Sequence, residues 1–592
     1  MAEKIGIDLG TTNSLISVVT AKGLVKSFTE RDRPHPSVVH YAGGNVICGT
    51  KAKLKVDQTE SGVQGSTVKG PKKYLSSDVI NVGGVNKNPK DVVTDLIHYL
   101  KEHADSEDDD NIANLQYAVV TIPVAMDGRG RRALREAFLN ADIHIEAFVH
   151  EPLAALYGYY RSLPDMELEL RRNEGKMTLV FDWGGGTLDL TLCQIKNGAI
   201  SQIINRGNNK VGGDYLDEII LKCVEDEHAK KFNWTESTFK PRLPGMKARL
   251  LQECERAKIV LSKKDSALIY VPEYFKANDD EADIEFSLDR KTLNQIAEKI
   301  VNAGLREIET LLSIEFADVD IQTLSFCLAT GGMVNMPIIR QRLQELFGFE
   351  RLHISEIGDR IISHGAAWIA HDNPPITLAK PFEIVEARNS MITIVPEGTS
   401  LPKRGDFLVT EQAMYCADPR DGKAVLSFKR PQMIAKSASA DHRTSYGNMV
   451  VMVNKDFPPL KERIDVTYLI DENLIVTVKA KSMDEEVDSE LEIYDLEFSI
   501  QAIGDDSIKK SRRSGPVKIK SGLGVIIRSN VSENNDSWHL VPGELMKLFN
   551  AKFPYFRKPL TEEQEFEQVL YQTCSSCNQR WKKGCCSLSL VE

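Results

Sequence analysis

Apolar and polar positions follow one pattern twice along this chain. Lys4 to Val19 reads Lys-Ile-Gly-Ile-Asp-Leu-Gly-Thr-Thr-Asn-Ser-Leu-Ile-Ser-Val-Val. A short apolar run, a Gly/Thr turn and a second β-rich run predict a hairpin with a polar tip. Thr178 to Ile195 repeats the pattern, with Asp182 in the place of Asp8. Two such units about one domain apart predict two similar lobes whose hairpin tips face each other across a cleft. Between them, Val92, Val93, Leu96, Ile97 and Leu100 recur at helical spacing behind Asn88-Pro89, which reads as a cap and first turn. Tyr117–Pro123 reads as a buried strand and Asp127–Ala141 as an Arg-rich amphipathic helix. Strands and helices alternate as far as His371, the signature of an α/β fold.

The pattern changes at Asp372-Asn373-Pro374-Pro375, a helix-breaking cluster. Beyond it, Ile464–Ile470 and Leu474–Ala480 flank an Asp-Glu-Asn turn, and Ser489–Ile493 adds another alternating run, so an antiparallel β region is expected. From about Gln501 the character shifts again, with a basic stretch Lys509–Arg513, strand-like Val517–Ser529, and short helical patterns at Pro542–Lys552 and Glu562–Tyr571. The expected division is residues 1–372, a linker at 373–382, a β domain at 383–500 and a divergent C-terminal region at 501–592.

At 592 residues the chain exceeds what one hydrophobic core usually supports. Its 42% hydrophobic and 27% charged residues are those of a globular protein. A net charge of −11 offers no general attraction to nucleic acid or to an anionic membrane, so neither is an expected partner. Lacking a signal-like start or an apolar run of about 18 residues, the sequence reads as cytoplasmic. The acidic run Glu107–Asp110 reads as a solvated loop. Six cysteines are scattered singly, which suits reduced thiols. Cys574, Cys577, Cys585 and Cys586 could supply thiolates to Zn²⁺, but adjacent cysteines make a poor second ligand pair, so no zinc is assigned.

The hairpin tips carry the chemistry. A phosphate tail with Mg²⁺ needs glycine-exposed backbone N–H groups, hydroxyls near phosphate oxygens, and carboxylates to hold the metal's water shell. Asp8-Leu9-Gly10-Thr11-Thr12 and Asp182-Trp183-Gly184-Gly185-Gly186-Thr187-Leu188-Asp189 both offer these. One alone would be an ordinary glycine-rich turn; two in tandem point to a nucleotide.

Further blocks follow in order: Val119–Pro123, His150–Ala155, Gly207–Asp217, Cys254–Ser262 and Ala329–Gly332. With them the chain resembles the 70-kDa heat-shock chaperones, the DnaK-like branch of the actin and sugar-kinase superfamily, from Ile5 to about His371. The resemblance implies a two-lobed actin-like ATPase of duplicated ribonuclease H-like design, then an antiparallel β-sandwich. It implies that Thr11, Thr12 and Thr187 contact phosphates, that Asp8 and Asp182 hold Mg²⁺ largely through water, and that Asp189 completes that network. Lys72 would steer the γ-phosphate and Glu151 would position the attacking water, giving slow hydrolysis of ATP without a covalent intermediate. Glu255, Lys258 and Ser262, at i, i+3 and i+7, share a helix face suited to ribose and adenine. Gly331 and Gly332 would let backbone approach the nucleotide. Gly10, Asn13, Gly184, Gly185, Gly186, Gly212, Gly213, Asn335 and Asp359 complete the implied nucleotide contacts. Asn335 replaces the arginine that many members stack on adenine, which predicts weaker binding of the base.

For the second half the resemblance implies binding of unfolded or extended client polypeptide, with a J-domain co-chaperone and a nucleotide exchange factor as partners. Ala147 and Ala125 stand where the family has an arginine and a tyrosine, and Asn373–Ala379 replaces its leucine-rich linker. Those departures predict altered coupling between ATP and peptide. A competing reading is a nucleotide-switched scaffold holding one fixed partner; a small-molecule kinase would not need the appended β region.

Overall fold

The computed structural model describes residues 3–55, 65–208, 210–231, 241, 245–277, 280–315, 321–355, 357–358, 360–385, 391–430, 443–458, 461–482, 488–503, 517–520 and 525–529. Asp359, Lys509–Arg513, both expected C-terminal helices and the four clustered cysteines lie outside them. The chain forms two compact units. One runs to Pro374 and is rejoined by the segment that starts at Ser499; the other runs from Pro375 to Phe498 and takes in the later described residues 517–520 and 525–529.

The first unit begins with the expected hairpin, β1 (Glu3–Leu9) and β2 (Asn13–Val19), continued by β3 (Val25–Phe28). β4 (Ala113–Ile122) pairs parallel with β1, and β5 (His144–His150) pairs parallel with β4. The sheet order is therefore β5-β4-β1-β2-β3. Helix α1 (Glu151–Ser162) leads to the second lobe, with β6 (Met177–Trp183), β7 (Leu188–Lys196), β8 (Ala199–Asn208), β9 (Phe326–Thr330) and β10 (Leu352–Ile354). Their order, β10-β9-β6-β7-β8, reproduces that of the first lobe, so the sequence repeat is a repeat of topology. Ile5, Ile7 and Leu9 of β1 and Leu179, Phe181 and Trp183 of β6 are all buried, as expected of central strands with covered faces.

The helical pattern behind Asn88-Pro89 becomes Pro89–Glu107; the Asn88 side chain accepts from the Lys90 N–H, and the predicted apolar stripe is buried. The acidic run that follows is only partly solvated. Asp108 is buried because its carboxylate accepts the Ala113 N–H at 2.8 Å and lies 3.4 Å from Lys26 Nζ, which pins the entry to β4.

Helix α1 crosses α2 (Ile361–Asp372) through glycine. A Cβ on Gly365 would lie 1.7 Å from the Ala154 carbonyl oxygen, so nothing larger fits there. α2 ends where the breaker predicts, Asn373 taking a left-handed φ of 50° as its cap.

The second unit is antiparallel β. One layer holds β11 (Phe382–Val385), β12 (Met391–Val395), β14 (Lys423–Arg430) and β15 (Thr444–Met452). The other holds β13 (Leu408–Cys416), β16 (Arg463–Ile470), β17 (Val476–Ser482) and β18 (Asp488–Ile493). Phe382 and Phe428 of one layer meet Tyr468 of the other edge-on at 6.1 and 6.2 Å, the interior of a sandwich. The Asp-Glu-Asn turn forms as read, Asp471 Oδ1 accepting the N–H groups of Asn473 and Ile475. The first stretch of the β unit ends at Phe498. From Ser499 the strand β19 (Phe498–Gln501) pairs with β8 of the first unit's sheet, while the later strands Val517–Lys520 and Val525–Ser529 both pair parallel with β13.

Candidate functional site

Asp8 and Asp182 occupy equivalent places at the ends of β1 and β6. The parallel neighbour of Asp8 is Thr121, and that of Asp182 is Thr330. Thr121 donates to Asp8 at 3.0 Å, whereas Thr330 donates to the Gly358 carbonyl at 2.7 Å. Asp189 pairs directly with Asp182 across the second hairpin and receives the Thr187 hydroxyl at 2.5 Å.

The two tips do face each other. A Cβ on Gly185 would lie 2.8 Å from Thr12 Oγ1, and one on Gly186 would lie 3.8 Å from Thr11 Cγ2. A Cβ on Gly212 would lie 2.4 Å from the Gly185 carbonyl, so three loops converge on a lining of backbone. Trp183 holds this lining in place by donating to the Val211 carbonyl at 2.7 Å. Gly10 is required because a Cβ would strike the Asn13 carbonyl at 2.2 Å, and Gly331, at φ 89°, because one would lie 2.5 Å from Asp182 Oδ1. Gly332 faces open space.

Lys72 rides on the turn Pro71–Tyr74, which packs against Thr11. It is buried, and its Nζ donates to Glu151 Oε1 at 2.8 Å. Glu151 opens α1, followed by Pro152. Burial and Glu151 push Asp8 up to about 7, against the opposing pull of Lys72 and Thr121. Asp182 is driven well above the usual carboxylate range by burial and by Asp189, Glu151 and Asp8. Burial raises Asp189 to about 6 even though Thr187 supports its charged form. Four carboxylates around one ammonium form a site short of positive charge, and a divalent cation would supply it. Among the described residues no three His, Cys, Asp or Glu side chains converge tightly enough to ligate one ion directly. That spacing fits an ion held through its water shell.

The base-side residues lie on α3 (Met246–Leu261) and its cap. Burial favours the neutral form of Glu255, but Lys53, 2.9 Å away on the opposite lobe, holds its pKa below the usual value. Lys258 is buried and donates to Asp217 at 2.7 Å and to the Gly213 carbonyl at 2.9 Å, so it braces the Gly212–Gly213 loop. Ser262 sits at the helix cap, its hydroxyl 3.5 Å from the Lys258 carbonyl. Asn335 is exposed and receives the Arg340 guanidinium at 3.1 Å.

Sequence reasoning gave no role to Thr121, Lys53, Asp217, Lys73 or Asp214, the last two approaching to 3.7 Å. Thr121, Asp214 and Asp217 lay in blocks already singled out; Lys53 and Lys73 carried no local signal.

A duplicated two-lobed fold with aspartate hairpins facing across a cleft defines an actin-like ATPase. The model of the Hsp70 protein family matches residues 4–512, and the chain belongs to that family. It is 26% identical over 579 residues to the chaperone protein DnaK of Ureaplasma parvum serovar 3, covering 93% of this chain and 89% of that protein. It is 27% identical over 484 residues to chaperone protein DnaK of Mycoplasma mycoides subsp. mycoides SC, covering 81% and 77%. The chaperone protein DnaK of Mycoplasmopsis agalactiae is 25% identical over 591 residues, covering 95% and 92%. The protein is an ATP-dependent chaperone and an ATPase. The match runs through cleft and β unit alike and does not favour the fixed-partner scaffold. No described helix is long and apolar enough to cross a membrane.

Proposed function

We propose that this chaperone hydrolyses Mg²⁺–ATP between its two aspartate hairpins, and that the β unit holds extended segments of unfolded polypeptide. The observation that carries the reading is the buried Lys72–Glu151 pair at 2.8 Å, set beside three carboxylates whose charge is raised in energy by burial and by Glu151. Asp8, Asp182 and Asp189 would hold Mg²⁺ through water, and the ion would neutralise charge on the phosphates. Gly10, Gly184, Gly185, Gly186, Gly212 and Gly213 expose backbone to the phosphate tail, and Asn13 with the Thr11, Thr12 and Thr187 hydroxyls lies beside it. Lys72 draws the γ-phosphate charge toward Glu151, which orients a water for in-line attack. Glu255, Lys258 and Ser262 border the ribose, and Gly331, Gly332 and Asn335 the base. The reading places the protein in the cytoplasm and gives it J-domain and nucleotide-exchange partners.

Lys72→Ala should slow single-turnover hydrolysis by about 10²–10³-fold, because it removes a preorganised positive charge. Anisotropy of a labelled extended apolar peptide should drop on addition of Mg²⁺–ATP. Wild-type hydrolysis in the variant would sink the catalytic assignment, and absence of peptide binding would sink the assignment of the β unit.

A further inference from the structure

Strand β8 is the outermost of the second lobe's own strands, and its outer face offers a row of backbone N–H and C=O groups. That edge is taken by the chain's own returning segment. Ser499, Ile500 and Gln501 pair antiparallel with Ser201, Ile200 and Ala199. Ser499 donates to the Ser201 hydroxyl at 2.7 Å, and the N–H groups of Ala502 and Ile503 both reach the Gly198 carbonyl at 3.1 Å. Gln501 Nε2 bonds the Asn197 and Ile503 carbonyls at 3.0 and 2.8 Å. Gly198, at φ 71°, leaves the room that Ile503 fills, since a Cβ there would lie 3.0 Å from that side chain. All five residues from Ser499 to Ile503 take part through backbone or side chain, which makes this a built contact.

Two residues upstream, the chain is fixed just as firmly inside the β unit. Glu497 is buried, accepting Arg430 Nε at 2.8 Å and the Tyr446 hydroxyl at 2.7 Å. Only Phe498 separates that anchor from the first residue of the sheet pairing. Along β8, the residue after Ser201 is Gln202, fully buried. Its Oε1 lies 2.9 Å from His150 Nδ1, and its Nε2 donates to Asn205 at 3.1 Å. His150 immediately precedes Glu151.

We propose that Ser499–Ile503 is an intramolecular strap on the outer edge of β8 within the ATPase unit and that it bears on Glu151 through Gln202 and His150. Along the sequence, Pro375–Phe498 therefore lies between two segments of the ATPase unit. Docking of the strap fixes the edge of β8, and with it the Gln202 amide that orients His150 and the start of α1. Gln202 and His150 are positioning residues in this scheme. The strap requires only the ATPase unit and stands whether or not the β unit binds polypeptide.

The test compares full-length wild type with Ile500→Pro, which removes an N–H from the strand, and Ile503→Asp, which leaves the backbone unrestricted. Ile500→Val is the control. Hydrogen exchange over residues 198–204 and single-turnover ATP hydrolysis are measured on each. Wild type and Ile500→Val should be protected alike, and the two disrupting variants should exchange about tenfold or more faster at Ala199–Ser201. Hydrolysis in both should change about 2–10-fold in kcat with KM within twofold, and Gln202→Met should change kcat likewise while protection is kept. Equal exchange in wild type and both disrupting variants overturns the strap. Lost protection with unchanged kcat, or an unaffected Gln202→Met, overturns the link to Glu151.

Discussion

The two hairpins share a fold and a chemistry, yet their aspartates live in different surroundings. Asp8 has Thr121 donating to it and Lys72 drawing its pKa down against burial and Glu151. Asp182 meets only influences that push its pKa up: burial, Asp189, Glu151 and Asp8. Its matching threonine, Thr330, turns to the Gly358 carbonyl instead. Duplication thus supplied two equal frames, and the residues added to them divided the work. The first lobe brings the ammonium; the second brings a carboxylate pair that is tolerable only beside a cation.

That contrast is broken or upheld most sharply by Asp182→Asn and Asp8→Asn. Both should raise the Mg²⁺ concentration needed for half-maximal hydrolysis by about 10–100-fold, as loss of a group that holds a metal's water shell does, with Asp182→Asn at the upper end. In metal-free protein the order should reverse in sign: Asp182→Asn should melt above wild type and above Asp8→Asn, because it removes the more strained charge. Equal Mg²⁺ shifts and equal melting points would remove the asymmetry.

Much of this site was legible because the signals were local. Each hairpin is a run of under twenty residues in which strand, turn and strand follow one another, and the β-unit hairpin at Ile464–Ala480 is legible for the same reason. Lys72 and Glu151 became readable only by resemblance, since nothing in the sequence near either says that they pair across 79 positions. Thr121 reaches Asp8 across 113 positions through parallel pairing, which leaves no periodic trace linking the two. The strap escaped notice because β19 has four residues, too few for alternation to register, and its pairing partner lies about 300 positions upstream. Lys258 shows the opposite failure. It lies on the expected helix, but burial beside Asp217 and its bond to the Gly213 carbonyl make it a brace for the glycine loop.

The lobes should also differ in acid. His35 pairs with the β2 hairpin and is fully buried in the first lobe; burial and neighbouring His103 push its pKa down to about 4, against the pull of the Phe28 carbonyl and Glu30. The unfolded chain protonates this histidine near 6.5, so below that pH the unfolded state binds the extra proton and stability falls until the pH reaches about 4. His35→Gln should lessen that loss by about 1–3 kcal/mol. The check is urea melts between pH 7 and pH 4.5, with hydrogen exchange resolved by lobe. Parallel curves for variant and wild type, or a second lobe that opens first, would count against the assignment.

The smallest expected effect concerns the link between the lobes. Lys53 and Glu255 meet at 2.9 Å across the cleft, with side chains 36% and 23% exposed, and Gln252 donates to the Lys53 carbonyl at 3.3 Å. A pair this wet is worth about 0.2–1 kcal/mol, so Lys53→Met should speed nucleotide release by no more than about fivefold. Because the contribution is electrostatic, wild-type release should accelerate toward the variant's rate as salt rises, while the variant responds weakly. On the proposed reading Asp182 and Asp8 would govern whether the cation is held at all, and this pair only how long the lobes stay closed over what is bound. A variant whose release rate matches wild type at low salt would show that the glycine loops, rather than the charge pair, keep the cleft shut.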